Sequence, residues 1–190
     1  MTKNKGRLFL VSGPSGVGKG TICRKLLSED ENLYFSVSAT TRKPRSEDIE
    51  GKTYYFKTKE EFEKLIAKDE FLEWAEYSGN YYGTLKAPVL EHIENGRDVL
   101  LEIDVKGALN VKKSFSGGVY IFIAPPDENT LLERLKNRGS ETDEDIKKRL
   151  LAAKDEIKLK DEYDYVVVND VLETAVTEVK NIILKERNKK

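Results

Sequence analysis

The sequence predicts an α/β fold: a mostly parallel sheet flanked by helices, an inserted α/β lobe, and a short arginine-rich lid. Three observations predict it. Strand-sized apolar runs alternate with helix-period segments along most of the 190 residues, the pattern of a parallel sheet covered on both faces. The first run, residues 8–11, passes directly into a glycine-rich loop and an amphipathic helix. From Thr40 the texture turns polar, basic and aromatic, with Pro44 and Gly51, before the alternation resumes near residue 87. A core of 1–37 and 87–190 is therefore expected, with the lid near 134–145 and the lobe at 38–86.

The loop after the first strand is Ser12-Gly13-Pro14-Ser15-Gly16-Val17-Gly18-Lys19-Gly20-Thr21. Its glycines permit positive φ, so the backbone can close around an anion. The amides then point at that anion from the head of a helix, where the dipole also favours negative charge. Lys19 adds a mobile point charge for outer phosphates. Gly13, four residues, then Gly18-Lys19 is phosphate-loop spacing, which normally continues with Ser or Thr. Here Gly20 intervenes and the hydroxyl falls at Thr21, which keeps the cradle and leaves direct magnesium ligation by the loop open. A nucleoside triphosphate is the implied ligand.

The helix at 19–28 carries Ile22, Leu26 and Leu27 on one face, and Cys23 beside them reads as a buried structural thiol. A short strand is expected at 34–38. Within the lobe, 53–56 is β-rich, and Thr58 with Glu61 forms a capping box before a helix with Phe62, Leu65 and Ile66 on one stripe. Strands at 71–77 and 81–84 flank a Ser78-Gly79-Asn80 turn. The core resumes with a helix at 87–95 ended by Gly96, a strand at 98–104, and a short helix from Val105. The run 119–124 is apolar throughout, which suits a central strand. Pro125-Pro126-Asp127 opens the next helix, whose basic face includes Arg134, Lys136 and Arg138. After a polar break at 139–142 come a long helix at 143–159, a strand at 165–168 and a last helix at 172–186, with the terminal lysines fraying.

Composition bounds the function. Net charge is −1 and 35% of residues are charged, a balance that gives no support for nucleic acid as a bulk partner. One cysteine cannot form an internal disulfide, and no segment has a signal-peptide core or bilayer-spanning length, so a cytoplasmic protein is expected.

Further candidates lie in the lobe and at the strand ends. Ser38, Thr40, Thr41, Arg42 and Arg45 surround Pro44, and two planar guanidiniums with nearby hydroxyls suit a phosphate; a solvated basic turn explains the segment equally well. Tyr54, Glu73, Tyr81, Tyr82 and Thr84 add aromatic and hydrogen-bonding groups to the same lobe. Glu102 and Asp104 sit at the end of the strand at 98–104 with one residue between them, so both point to one face and could orient magnesium through water; alternatively one of them caps the next helix. His92 reads as a surface or packing histidine.

From about residue 7 to 187 the chain resembles the guanylate kinases, monophosphate kinases that phosphorylate GMP. The resemblance is carried by Gly13 to Lys19, Ser38 to Arg45, Glu73-Trp74-Ala75, Gly79-Asn80-Tyr81-Tyr82-Gly83-Thr84 and Asp104. It implies the reaction ATP + GMP → ADP + GDP with Mg²⁺, no nucleic-acid or membrane partner, and a monomer or homodimer. It implies that Gly13, Pro14, Ser15, Gly16, Val17, Gly18, Lys19, Gly20 and Thr21 hold ATP, with Arg134 and Asn169 near adenine. Ser38, Arg42, Arg45, Tyr54, Glu73, Tyr82, Thr84 and Asp104 would hold GMP: Arg42, Arg45, Tyr54 and Tyr82 at the phosphate, the others around the base. Lys19, Arg42, Arg138 and Arg149 would be catalytic, and Glu102 would reach the metal through water.

Chemistry independent of the resemblance supports the choice of base. Guanine presents adjacent N1–H and N2–H₂ donors, and one carboxylate can accept both. Adenine presents a lone pair at N1 instead, so Glu73 is expected to select guanine. Two alternatives stand beside this expectation: a kinase of different base choice, and a catalytically silent guanylate-kinase-like module that binds phosphorylated protein segments. The intact Gly13, Gly18 and Lys19 weigh against the second. A regulatory GTPase is disfavoured because no Asn-Lys-x-Asp guanine reader occurs.

Overall fold

The computed structural model describes residues 5–137 and 142–189. Five strands form a parallel sheet: β1 (Leu8–Ser12), β2 (Leu33–Phe35), β7 (Asp98–Glu102), β8 (Gly118–Ala124) and β9 (Tyr165–Val168), in the order β2-β7-β1-β8-β9. Every residue of β1 is buried, because helices cover both faces of the sheet. Phe9 and Val11 point to one side, against α1 (Lys19–Glu29) and α7 (Leu172–Arg187). Leu8 and Leu10 point to the other, against α3 (Lys86–Glu94) and α4 (Val105–Ser114). Cys23, 1% exposed, lies in the first of these layers, where burial pushes its thiol pKa up.

The second sheet has four strands in the order β4-β3-β6-β5 and is mixed: β3 (Ala39–Thr40) pairs parallel with β4 (Tyr55–Phe56) and antiparallel with β6 (Asn80–Leu85), which pairs antiparallel with β5 (Phe71–Tyr77). Helix α2 (Lys59–Ala67) begins with the anticipated capping box and packs Phe62 on Phe71, ring centroids 4.3 Å apart. The β5–β6 turn has Ser78 at φ 50° and Gly79 at φ 74°, as a two-residue hairpin turn of matching twist requires. Helices α5 (Glu128–Lys136) and α6 (Asp143–Ile157) share a small core of Leu131, Leu135, Ile146 and Ala153.

Three expectations need correction. The strand foreseen at 34–38 is broken: Ser36 donates to Leu100 O, and the chain then leaves the first sheet to enter the second at Ala39. The strand foreseen at 98–104 stops at Glu102, because Asp104 is the N-cap of α4 and its side chain accepts from the Gly107 amide at 2.6 Å. Glu102 and Asp104 are therefore not neighbours on one strand face. The run 119–124 is interior, yet the middle strand is β1. His92 is a packing residue, stacked on Tyr34 with ring centroids 3.6 Å apart. No helix among the described residues is long and apolar enough to cross a membrane.

Candidate functional site

The loop after β1 is wrapped tightly by its glycines. Gly13, Gly16 and Gly18 have φ of 142°, 85° and 96°. A Cβ on Gly13 would lie 2.2 Å from the Ile123 carbonyl oxygen, so only glycine allows this approach to β8. Lys19 lies across the loop and donates to Gly13 O at 2.6 Å and Pro14 O at 3.0 Å. Burial lowers its pKa, and the charges of Glu102, Glu156 and Asp104 oppose that.

Three elements remote in sequence brace the loop. Asn169, 5% exposed at the end of β9, donates to Val17 O at 2.8 Å. Arg134 on α5 donates to Asn169 O at 2.9 Å and to Asp170 O at 3.3 Å. Arg149 on α6 donates to Ser15 Oγ at 3.1 Å. Arg134 and Asn169 are thus brought together at the loop, each held by protein partners, while Asn169 Oδ1 is buried without a partner among the described residues. Arg138 lies outside the described residues.

Two concavities meet at this loop. One, of about 410 Å³, runs over Gly16, Gly18, Gly20 and Thr21 to Arg24. The other, of about 460 Å³, opens toward the second sheet and is lined by Ser36, Ser38, Tyr54, Asp104 and Glu156. Ser15, Lys19 and Glu102 line both, so the wall between two ligands would be a phosphate-loop hydroxyl, a lysine and a carboxylate.

On the second sheet, Glu73 of β5 stands opposite Thr84 of β6, and the Thr84 hydroxyl donates to Glu73 Oε1 at 2.8 Å. Burial pushes the Glu73 carboxyl up to about 7 against the Thr84 hydrogen bonds, and the charge of Asp104 adds to the rise. Nearby, the Arg42 guanidinium lies 5.3 Å from the Tyr54 ring centroid, and the Tyr54 and Tyr82 centroids are 6.1 Å apart. Arg45 is exposed. Asp104 is exposed as well and faces the cleft while capping α4.

Two residues at the site escaped sequence reasoning. Asp48 pairs with Arg42 at 2.8 Å. Glu156 lines the cleft near Lys19, and burial raises its carboxyl pKa. Glu156 stands seven residues after Arg149, two helical turns on the same face, a signal that helix periodicity alone could have supplied.

The donor set suits a hard cation only in part. Among the described residues no group of three or more His, Cys, Asp or Glu could hold a metal by itself. Glu102 at the end of β7 faces both concavities, and a Cβ on Gly20 would sit 3.3 Å from its Oε2, so the bare backbone there leaves the carboxylate room. One carboxylate beside a phosphate cradle fits magnesium, which keeps several waters and takes its other ligands from phosphate.

Comparison with known proteins agrees along the whole chain. The sequence profile of the guanylate kinase family matches residues 5–186. The guanylate kinase of Halalkalibacterium halodurans is 51% identical over 190 residues, covering 100% of this chain and 93% of that one. That of Carboxydothermus hydrogenoformans is 52% identical over 186 residues, 98% and 91% of the two chains. The crystal structure of guanylate kinase from Anaplasma phagocytophilum superposes with a TM-score of 0.77 at 36% identity, covering 100% of this chain and 90% of that one.

Proposed function

The chain belongs to the guanylate kinase family and phosphorylates GMP with ATP, and we propose that the phosphate loop holds the donor, the inserted lobe holds the acceptor, and α6 supplies the Arg149 guanidinium between them. The observation that carries this division is the common wall of Ser15, Lys19 and Glu102 between the two concavities. Reacting phosphates on either side of it would face each other, and phosphoryl transfer needs in-line positioning and positive charge more than covalent help.

On the donor side, the backbone N–H groups of residues 15–21 would cradle the phosphates and Lys19 would exchange its carbonyl partners for phosphate oxygens. Arg149, already within reach of Ser15, would stabilise charge on the transferring group; Arg138, outside the described residues, is proposed for the same role by the family resemblance. Arg134 and Asn169 would border the adenine. A Mg²⁺ bound with ATP would neutralise charge on the phosphates being parted, and Glu102 is the residue suited to hold it through water.

On the acceptor side, Arg42, Arg45, Tyr54 and Tyr82 would grip the phosphate, and Glu73, Thr84, Ser38 and Asp104 would surround the base. Ionised Glu73 would accept from guanine N1 and N2 together, its Thr84 bond holding the carboxylate in place. Residues 1–37 and 87–190 would act as the core and 38–86 as the lobe that closes on it. A cytoplasmic location fits the single, buried, unpaired cysteine.

The deciding experiment measures ADP formation from ATP and Mg²⁺ with GMP, AMP, UMP, CMP or no acceptor. Turnover with GMP alone supports the assignment of Glu73; comparable turnover with AMP refutes it.

A further inference from the structure

The acceptor lobe contains a carboxylate where an anion is to bind. Asp48 sits in the loop between β3 and β4, and its side chain is only 7% exposed. One oxygen, Oδ2, accepts from the Arg42 guanidinium at 2.8 Å and from the Arg45 backbone amide at 2.7 Å. A single buried atom therefore fixes the side chain of one arginine and the main chain of the other. The Arg45 amide and the Arg42 guanidinium hold the Asp48 carboxyl below the usual carboxylate range, so it is charged at neutral pH.

Arg42 is otherwise held by its Nη1 bond to Lys43 O at 2.9 Å and by the faces of Tyr54 and Phe56, at 5.3 and 5.8 Å. These contacts occupy two of the five N–H donors a guanidinium carries, leaving the rest of the fork for an incoming phosphate. An unanchored arginine would lose several rotatable bonds on gripping a phosphate; one already anchored does not.

We infer that Asp48 is a positioning residue for the acceptor phosphate, orienting Arg42 through its side chain and Arg45 through its backbone without touching the nucleotide. This rests on the placement of the GMP phosphate at Arg42, so the test separates the two. Steady-state KM values for GMP and for ATP, kcat and melting temperature are measured for the parent and for Arg42→Ala, Asp48→Ala, Asp48→Asn and Asp48→Glu.

Asp48→Ala is expected to raise the GMP KM about ten- to a hundredfold, the factor that goes with losing a charge-assisted hydrogen bond, with the ATP KM within about twofold of the parent. Asp48→Asn, isosteric and able to accept from the Arg45 amide, should fall between parent and alanine variant. Asp48→Glu should recover most of the loss. A merely structural role would lower the melting temperature and raise both KM values together, and that result overturns the inference. A GMP KM that falls on losing the carboxylate overturns it too, since Asp48 would then compete with the phosphate for Arg42. If Arg42→Ala leaves the GMP KM unchanged, the phosphate placement itself fails; if Arg42→Ala raises it and Asp48→Ala does not, the positioning role alone fails.

Discussion

Glu73 should make GMP binding depend on pH through neutrality. Its carboxyl is pushed up to about 7 by burial in the lobe, and only the ionised form can accept both guanine donors. The ionised fraction is then roughly ten in eleven at pH 8 and one in eleven at pH 6. Apparent affinity scales with the competent fraction, so the GMP KM should rise about tenfold over that interval, about 1.4 kcal/mol. The sign follows from the direction of the shift: a raised carboxyl pKa keeps the proton on, and acid weakens guanine binding. Because the phosphate of GMP also titrates near pH 6, the comparison is with Glu73→Gln. That variant should lose the part of the pH dependence owed to Glu73 and turn one acceptor into a donor facing a donor. Its GMP KM should be raised at least about a hundredfold at pH 8, from two charge-assisted bonds worth about 1.5–3 kcal/mol each. The assay is coupled ADP release between pH 6 and 8 at saturating ATP, with GMP and AMP as acceptors. Identical pH profiles for parent and variant, or an unchanged preference for GMP over AMP, would refute the reasoning.

Other perturbations have equally definite outcomes. Gly13→Ala puts a methyl group 2.2 Å from Ile123 O at a φ of 142°, so it should cost about 2–4 kcal/mol in chemical denaturation and abolish ATP binding measured by calorimetry. Arg149→Ala should lower kcat about a hundredfold or more while changing the GMP KM little; equal turnover in the two proteins would remove Arg149 from the reaction. Chelating divalent cations should stop ADP formation yet leave GMP binding, measured by calorimetry, close to its original strength, because Glu73 and Thr84 lie in the lobe and Glu102 at the loop.

Local signals told most about the fold. Strands β5 and β9 begin and end where alternation and the apolar run place them, and the Thr58–Glu61 capping box starts α2 as its spacing demands. What was illegible depends on partners far away in sequence. Nothing in 34–38 announces that Ser36 makes the last bond to the first sheet and Ser38 the first to the second, accepting from the Tyr55 amide. Asp104 belongs to α4 because its side chain finds the Gly107 amide, a choice between strand end and helix cap that composition leaves open. At the site the same division holds. The loop glycines and Lys19 declare themselves by spacing, whereas Asp48 acquires meaning only when its loop folds back on Arg42 and Arg45. The family resemblance alone assigns Asn169 to adenine; that its amide also braces the phosphate loop, from 152 positions away, shows only in the fold.

Cys23 converts the burial of α1 into a chemical clock. It is the sole thiol in the sequence, 1% exposed, on the helix whose first turn completes the phosphate loop. A thiol reagent can reach it only when that helix detaches from the core, so the labelling rate counts detachments. A nucleotide that binds only the closed form should slow labelling by the factor 1 + [L]/Kd. The chain, with no substitution introduced, can thus report from inside the core how firmly its donor nucleotide is held.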